Sequence, residues 1–174
     1  VSTGNLDSSS AAESQVKALL EKIRAAGRTI LTEAESKCVI SLYGIPVVET
    51  RVAKSESEAA DFAAAIGFPV VLKLSSETIT HKSDVGGVLL NIQNAEEARA
   101  GFRTVTERAR RTKAEARIQA VLVQRMVPAG QEVILGAKRD PQFGALMMFG
   151  SGGVEVEGLK DVAFALAPLL PSEA

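Results

Sequence analysis

Apolar residues recur along the chain with the spacing of helices and strands, and glycine and proline separate these segments. Helical periodicity predicts helices over 13–26, 32–44, 55–67 and 95–109. Apolar runs predict strands over 47–52, 70–74, 88–92, 118–127, 132–138 and 145–149. This order predicts an α+β fold, in which a small mixed sheet with helices on one face leads into an antiparallel meander and a second sheet.

Thr32 with Glu35, and Ser55 with Glu58, have the spacing of N-terminal capping residues, which sharpens the predicted starts of two helices. Cys38 shares a helical face with the apolar residues of its helix, so we interpret it as a packed thiol. Residues 1–12 are small and polar and are interpreted as a linker, and 13–30 as an N-terminal helical segment.

Composition and charge argue against several classes of protein. With 174 residues, of which 46% are hydrophobic, the chain can bury one core and part of a second lobe. A net charge of −1 and 4% aromatic residues argue against a nucleic-acid binder. The sequence has no run of about 20 apolar residues, so we expect no membrane span and a cytoplasmic location.

Lys73 interrupts the apolar strand VVLKL, where an unpaired ammonium would be costly to bury. A lysine at this strand end can donate to a phosphate. In the alternative interpretation, it extends to solvent or pairs with a carboxylate such as Glu77.

The polar segment 75–87 joins two strands of a predicted hairpin. It offers an anion hydroxyl, ammonium and backbone N–H donors from Ser75, Lys82, Gly86 and Gly87, but it matches neither the Walker nor the Rossmann glycine pattern. His81, the single histidine, lies here; it either titrates in water or acts as a nucleophile toward phosphorus. One histidine without a cysteine partner argues against zinc.

Two further sets of residues are weaker candidates for ligand binding. Gln124, Met126 and Val127 end a strand, where backbone groups can read the edge of a flat heterocycle. Glu132 can accept hydrogen bonds from sugar hydroxyls, or it is an exposed strand carboxylate.

Four motifs occur in one order along the chain: FPVVLKL at 68–74, HKSDVGGV at 81–88, LVQRMVPAGQEVILGAKRDPQFGALMMFGSGG at 122–153 and LKDVAFALAPL at 159–169. Together they resemble the ATP-grasp region of ADP-forming acyl-CoA synthetases. The resemblance implies a partial ATP-grasp domain over 31–174 that binds ATP or ADP. It assigns the phosphates to Lys73, the adenine to 124–127, the ribose to Glu132 and a phosphohistidine relay to His81.

The resemblance also implies the reaction acid + CoA + ATP ⇌ acyl-CoA + ADP + phosphate, through an acyl phosphate. The family's Mg²⁺ ligands would lie outside this chain, as would the CoA-binding and ligase domains, on the same enzyme or a partner subunit. We therefore expect the isolated chain to be a poor catalyst. The alternatives are a nucleotide-sensing module of a protein acyltransferase and a purely structural domain without nucleotide affinity.

Overall fold

The protein is described by a computed structural model, which covers residues 4–76, 79, 82–112, 118–152, 162–170 and 172, without the side chains of 4–9. The chain divides into two compact units, Val1–Val127 and Pro128–Ala174. The first unit holds the helices α1 Gly4–Ala25, α2 Glu33–Leu42, α3 Glu56–Ile66 and α4 Ala95–Thr112. Its strands are β1 Thr50–Ala53, β2 Val70–Ser76, β3 Val88–Ile92 and β4 Ile118–Arg125, with a 3-10 turn at Ser83–Val85.

The first sheet has the strand order β1-β4-β2-β3, and every neighbouring pair is antiparallel. The α+β class is confirmed, but the expected mixed sheet is wrong. The physical reason lies in two strand–helix–strand units, β1-α3-β2 and β3-α4-β4. The two strands of each unit run in the same direction, but a strand of opposite direction lies between them in the sheet, so they are not neighbours. The predicted hairpin of β2 and β3 is confirmed.

The main core lies between this sheet and the pair α3 and α4. Leu72 and Val123 face the helices, and both are fully buried. Because successive strand residues point to opposite faces, Lys73, Ser75 and Gln124 lie on the other face of the sheet. The apolar core therefore fixes the strands on which these three polar side chains are carried.

The N-terminal helices depart from the sequence expectations. Residues 4–12, which we interpreted as linker, form the first part of α1. The side chains of Ala12 and Ile23 in that helix are buried. Cys38 is exposed, so the prediction of a packed thiol is wrong, because α2 has no buried residue and lies against the sheet through polar contacts. Among the described helices, none is long and apolar enough to cross a membrane.

The second unit contains the strands β5 Val133–Asp140, β6 Gly144–Ser151 and β7 Val162–Leu166. They form an antiparallel sheet in the order β5-β6-β7, which confirms the predicted antiparallel pairing of 132–138 with 145–149. The expected first strand of that meander, 118–127, pairs in the first sheet instead, as β4. Glu132 precedes β5, and its carbonyl accepts a hydrogen bond from the backbone N–H of Gly152 at 2.9 Å. The sequence pattern assigned no strand to Val162–Leu166.

Gly101 lets α4 approach the sheet closely: a Cβ there would lie 2.6 Å from Leu72 Cδ1 and 3.3 Å from Leu89 Cδ1. We expect Gly101→Val to lower the free energy of unfolding by about 1–3 kcal/mol through overpacking, measured by urea denaturation. Gly130→Val is the control, because nothing lies within 4 Å of its Cβ position. A Gly101→Val chain as stable as the unsubstituted chain would contradict this packing.

Candidate functional site

The carboxylate of Glu33 joins side chains from four segments of the first unit. Its Oε1 accepts hydrogen bonds from Lys73 Nζ at 3.2 Å and Gln124 Nε2 at 2.5 Å. Its Oε2 accepts from Lys82 Nζ at 2.7 Å, and Lys37 Nζ lies 3.3 Å from Oε1. We call Glu33, Lys37, Lys73, Lys82 and Gln124 the lysine cluster.

Local sequence places Glu33 at the first turn of α2. The side chain of Thr32 accepts from the backbone N–H of Glu35, while the Glu35 carboxylate accepts from the backbone N–H of Thr32, so the predicted capping box is confirmed. Arg28 holds the same Glu35 carboxylate through two hydrogen bonds. The helix start is thus fixed by contacts separate from the lysine cluster.

Burial and charge act in opposite directions on Glu33. Burial alone raises its pKa, but hydrogen bonds from Lys82 and Gln124, with the charges of Lys73 and Lys82, outweigh it and hold the pKa of Glu33 well below its usual range. Burial lowers the pKa of Lys37, and the charge of Glu33 opposes that shift. The carboxylate is therefore ionised at neutral pH.

A cavity of about 420 Å³ lies beside the cluster. It is lined by 27–33, Ser75, Ser76, Ile79 and Lys82. Its size falls in the range of small-molecule sites, roughly 300–1,000 Å³. Lys73 is not among these lining residues, but it pairs with Glu33, which is. The Lys73 and Lys82 side chains keep 30% and 21% of their surface exposed.

The structure brings four of the predicted site residues to this place: Lys73, Lys82 and Gln124 through Glu33, and Ser75 through the cavity wall. Lys73 is paired with a carboxylate, as the alternative interpretation anticipated, but the partner is Glu33. Glu77, the partner suggested from sequence, lies outside the described residues.

Gly86 and Gly87 have a packing role here. Their backbone N–H groups donate to the carbonyls of Ser83 at 3.0 Å and Lys82 at 2.8 Å. A Cβ on Gly87 would lie 3.1 Å from Leu74 Cβ, so this glycine lets the segment rest against β2. The expected N–H donors are therefore engaged within the protein.

The expected free strand end at 124–127 also differs in detail. Gln124 pairs with both β1 and β2, and its side chain is buried toward Glu33. The N–H of Met126 donates to the carbonyl of Pro69 at 3.2 Å, and Val127 is 65% exposed. Glu132 belongs to the second unit.

The predicted nucleophile His81 lies outside the described residues, and so do 77, 78 and 80 of the same segment. Within the described part of the chain, no group of three or more His, Cys, Asp or Glu residues could hold a metal ion.

Sequence reasoning missed Glu33 and Lys37. Glu33 lies between the two capping residues of α2, and that helical context hid a contact spanning 40 residues to Lys73. The available signal was an unpaired lysine in a buried strand, which required a partner from elsewhere.

The ATP-grasp domain family matches residues 22–174. The chain belongs to the ATP-grasp family. It is 50% identical over 160 residues to the β subunit of acetate–CoA ligase [ADP-forming] I from Pyrococcus furiosus, an alignment that covers 92% of this chain and 68% of that subunit.

Solved ATP-grasp structures agree with this assignment. The dinucleotide-forming acetyl-coenzyme A synthetase 1 of Ca. Korarchaeum cryptofilum, in complex with coenzyme A and Ca-AMPCP, has a TM-score of 0.87 at 50% identity, covering 90% of this chain and 69% of that one. The same enzyme with coenzyme A and Mg-AMPPCP has a TM-score of 0.75 at 45% identity, with coverage of 91% and 67%. The resemblance to ADP-forming acyl-CoA ligases is confirmed, and the chain spans about two thirds of these relatives.

The pH dependence of stability tests the electrostatics of Glu33. Because its folded pKa is lowered, its contribution is present above the ordinary value of 4.5 and is lost as the pH falls below it. We expect Glu33→Gln to lower the free energy of unfolding at pH 7 by about 1–3 kcal/mol, and this difference to shrink at pH 3.

Urea denaturation at both pH values measures this effect. Glu56→Gln is the control, because its ion pair with Arg103 is exposed and is worth about 1 kcal/mol or less. A difference between the unsubstituted chain and Glu33→Gln that stays constant from pH 7 to pH 3 would contradict the assignment.

Proposed function

We propose that this chain binds ADP or ATP at the lysine cluster and acts within a larger ADP-forming acyl-CoA ligase. The observation that carries the proposal is the convergence of Lys73 and Lys82 beside a cavity. These two residues come from separate segments, a strand and the loop after it, and both were candidates for phosphate binding. Relatives of this chain are named ADP-forming ligases.

The charge of the cluster fits a polyphosphate. Three lysines and one carboxylate leave a net charge of +2. The chain as a whole has a net charge of −1, so attraction of an anion must come from this local excess. Each ammonium has three N–H donors, and Glu33 takes one hydrogen bond from Lys73 and one from Lys82, which leaves donors for phosphate oxygens.

Magnesium belongs to this proposal. A Mg²⁺ ion would offset the charge on a transferring phosphoryl group. The Korarchaeum enzyme was solved with Mg-AMPPCP, which supports a nucleotide–Mg²⁺ complex as the ligand. We propose that its protein ligands lie outside this chain, as the family resemblance implies.

The remaining contacts are proposed from the family pattern. Met126 and Val127 would lie along the base, and Glu132 would accept from the ribose hydroxyls. Gln124 contributes through the cluster, since its amide donates to Glu33. Ser75 lines the same cavity as Lys82 and carries a hydroxyl that can bind a phosphate oxygen.

We propose that His81 relays the phosphoryl group in the complete ligase. Its imidazole nitrogen would attack the γ-phosphorus of ATP while the bond to the ADP oxygen breaks. The phosphoryl group would then pass to a carboxylate, and the CoA thiol would attack the acyl phosphate and release phosphate. Lys82, the next residue in the sequence, belongs to the lysine cluster, and this sequence neighbourhood supports the proposal.

Nucleotide affinity tests the binding site. We expect Lys73→Ala to weaken binding of Mg-ADP by about 10–100-fold, the loss of one or two charge-assisted hydrogen bonds, in a calorimetric titration. Lys22→Ala, on the exposed surface of α1, is the control and should bind as the unsubstituted chain does. Equal affinity of Lys73→Ala and the unsubstituted chain would refute the phosphate role.

Labelling with γ-³²P-ATP tests the relay in the complete ligase. A phosphohistidine is labile in acid and stable in base, so we expect such a label on the enzyme and none after His81→Asn replacement. The variant should still bind Mg-ADP within about twofold, because binding uses the lysine cluster. A label of equal strength on His81→Asn would contradict the relay, and nucleotide binding without any label would favour the sensing module.

A further inference from the structure

A carboxylate in the middle of an anion site is unfavourable for the anion itself, because like charges repel. Glu33 nonetheless contacts all three lysines of the cluster. We propose that Glu33 is a positioning residue, which holds the ammonium groups of Lys73 and Lys82 side by side before the phosphates arrive. This inference rests on the proposed nucleotide site and adds a residue to it.

Glu33 is itself anchored from two sides. Gln124, only 3% exposed, donates to its Oε1 from β4. Lys37, one turn along α2, lies 3.3 Å from the same oxygen and donates to Thr50 Oγ1 in β1 at 2.9 Å. The carboxylate is therefore attached to both the helix and the sheet, and the two lysines take their positions from it.

The two lysines need such an anchor because they repel one another. Lys73 lies in β2, one of the two inner strands of the sheet. Lys82 lies in the loop after β2 and contacts Glu33 at 2.7 Å. Without the negative charge, the ammonium of Lys82 would move toward solvent, and the loop would lose this attachment.

The geometry distinguishes positioning from blocking. Glu33 and Lys82 both line the cavity, and the side chains of Lys73 and Lys82 keep 30% and 21% exposure. In this proposal a phosphate contacts Lys82 from the cavity and Lys73 through the exposed part of its side chain, while both lysines keep their contacts with Glu33. Loss of Glu33 should weaken polyphosphate binding, even though it removes a negative charge from the site.

Titrations with ADP and with adenosine, which has no phosphate, test this inference. We expect Glu33→Gln to weaken ADP binding about tenfold, the loss of one charge-assisted contact, and to leave adenosine binding within about twofold. Glu33→Asp, which keeps the charge, should recover part of the ADP affinity. Glu56→Gln, which removes the carboxylate at the start of α3, is the matched control and should change neither.

Three outcomes would overturn the inference. Tighter ADP binding by Glu33→Gln would make Glu33 a competitor of the phosphates. Equal weakening of ADP and adenosine binding by Glu33→Gln would show that Glu33 has only a structural role. Unchanged binding of both would show that Glu33 does not contribute to the site.

A measurement without nucleotide separates this inference from the proposed function. Hydrogen exchange of the ligand-free chain should be faster at 83–87 in Glu33→Gln than in the unsubstituted chain, and unchanged in Glu56→Gln. If the unsubstituted chain binds no ADP, the proposed function fails, while faster exchange still shows that Glu33 holds the loop. Unchanged exchange overturns the positioning role whether or not nucleotide binds.

Discussion

The contact of the Glu33 carboxylate with three lysines determines how the charge of Lys73 is accommodated in the first sheet. Lys73 lies in a strand whose neighbouring residues, Leu72 and Leu74, are fully buried, and a lone ammonium there would be costly. Glu33 compensates this charge and at the same time attaches α2 to the sheet. A helix without buried residues is thus held by polar contacts, which apolar packing alone would not explain.

The two faces of the first sheet carry different kinds of side chain: one face forms the apolar core, and the other carries polar residues of the proposed site. On one face, α3 and α4 pack on alternate strand residues and form the core. On the other face, the intervening residues Lys73, Ser75 and Gln124 meet the start of α2. Because the side chains of 72–75 and 123–124 point alternately to the two faces, the packed face fixes the register of the polar one. Side chains on strands of this kind are held more precisely than side chains on loops.

Patterns that span only a few residues allowed most of the helices and strands to be predicted from the sequence. Periodicity located α3, α4, the four strands of the first sheet, and β5 and β6 of the second, but not β7. The capping residues at Thr32 and Ser55 located two helix starts. The unusual position of Lys73 predicted a phosphate contact, which stays a prediction, and the family motifs predicted the ATP-grasp domain, which is confirmed. The partner Glu33 escaped prediction because no local pattern records a contact across 40 residues. The exposure of Cys38 escaped for a related reason, since helical spacing identifies a face but not what covers it.

The ion pairs also bear on how the proposed phosphate site can accept a highly charged ligand and still be stable without it. Two ammonium groups brought together for phosphate would repel one another in the empty site, and the fold would bear that cost permanently. An internal carboxylate removes most of it, while the third lysine, Lys37, preserves a positive excess. The remaining charge is smaller than that of three free lysines, so attraction at long range is weaker. The benefit of the arrangement is a lower entropy cost of binding, because donors that are already held in place lose little conformational freedom when the ligand binds.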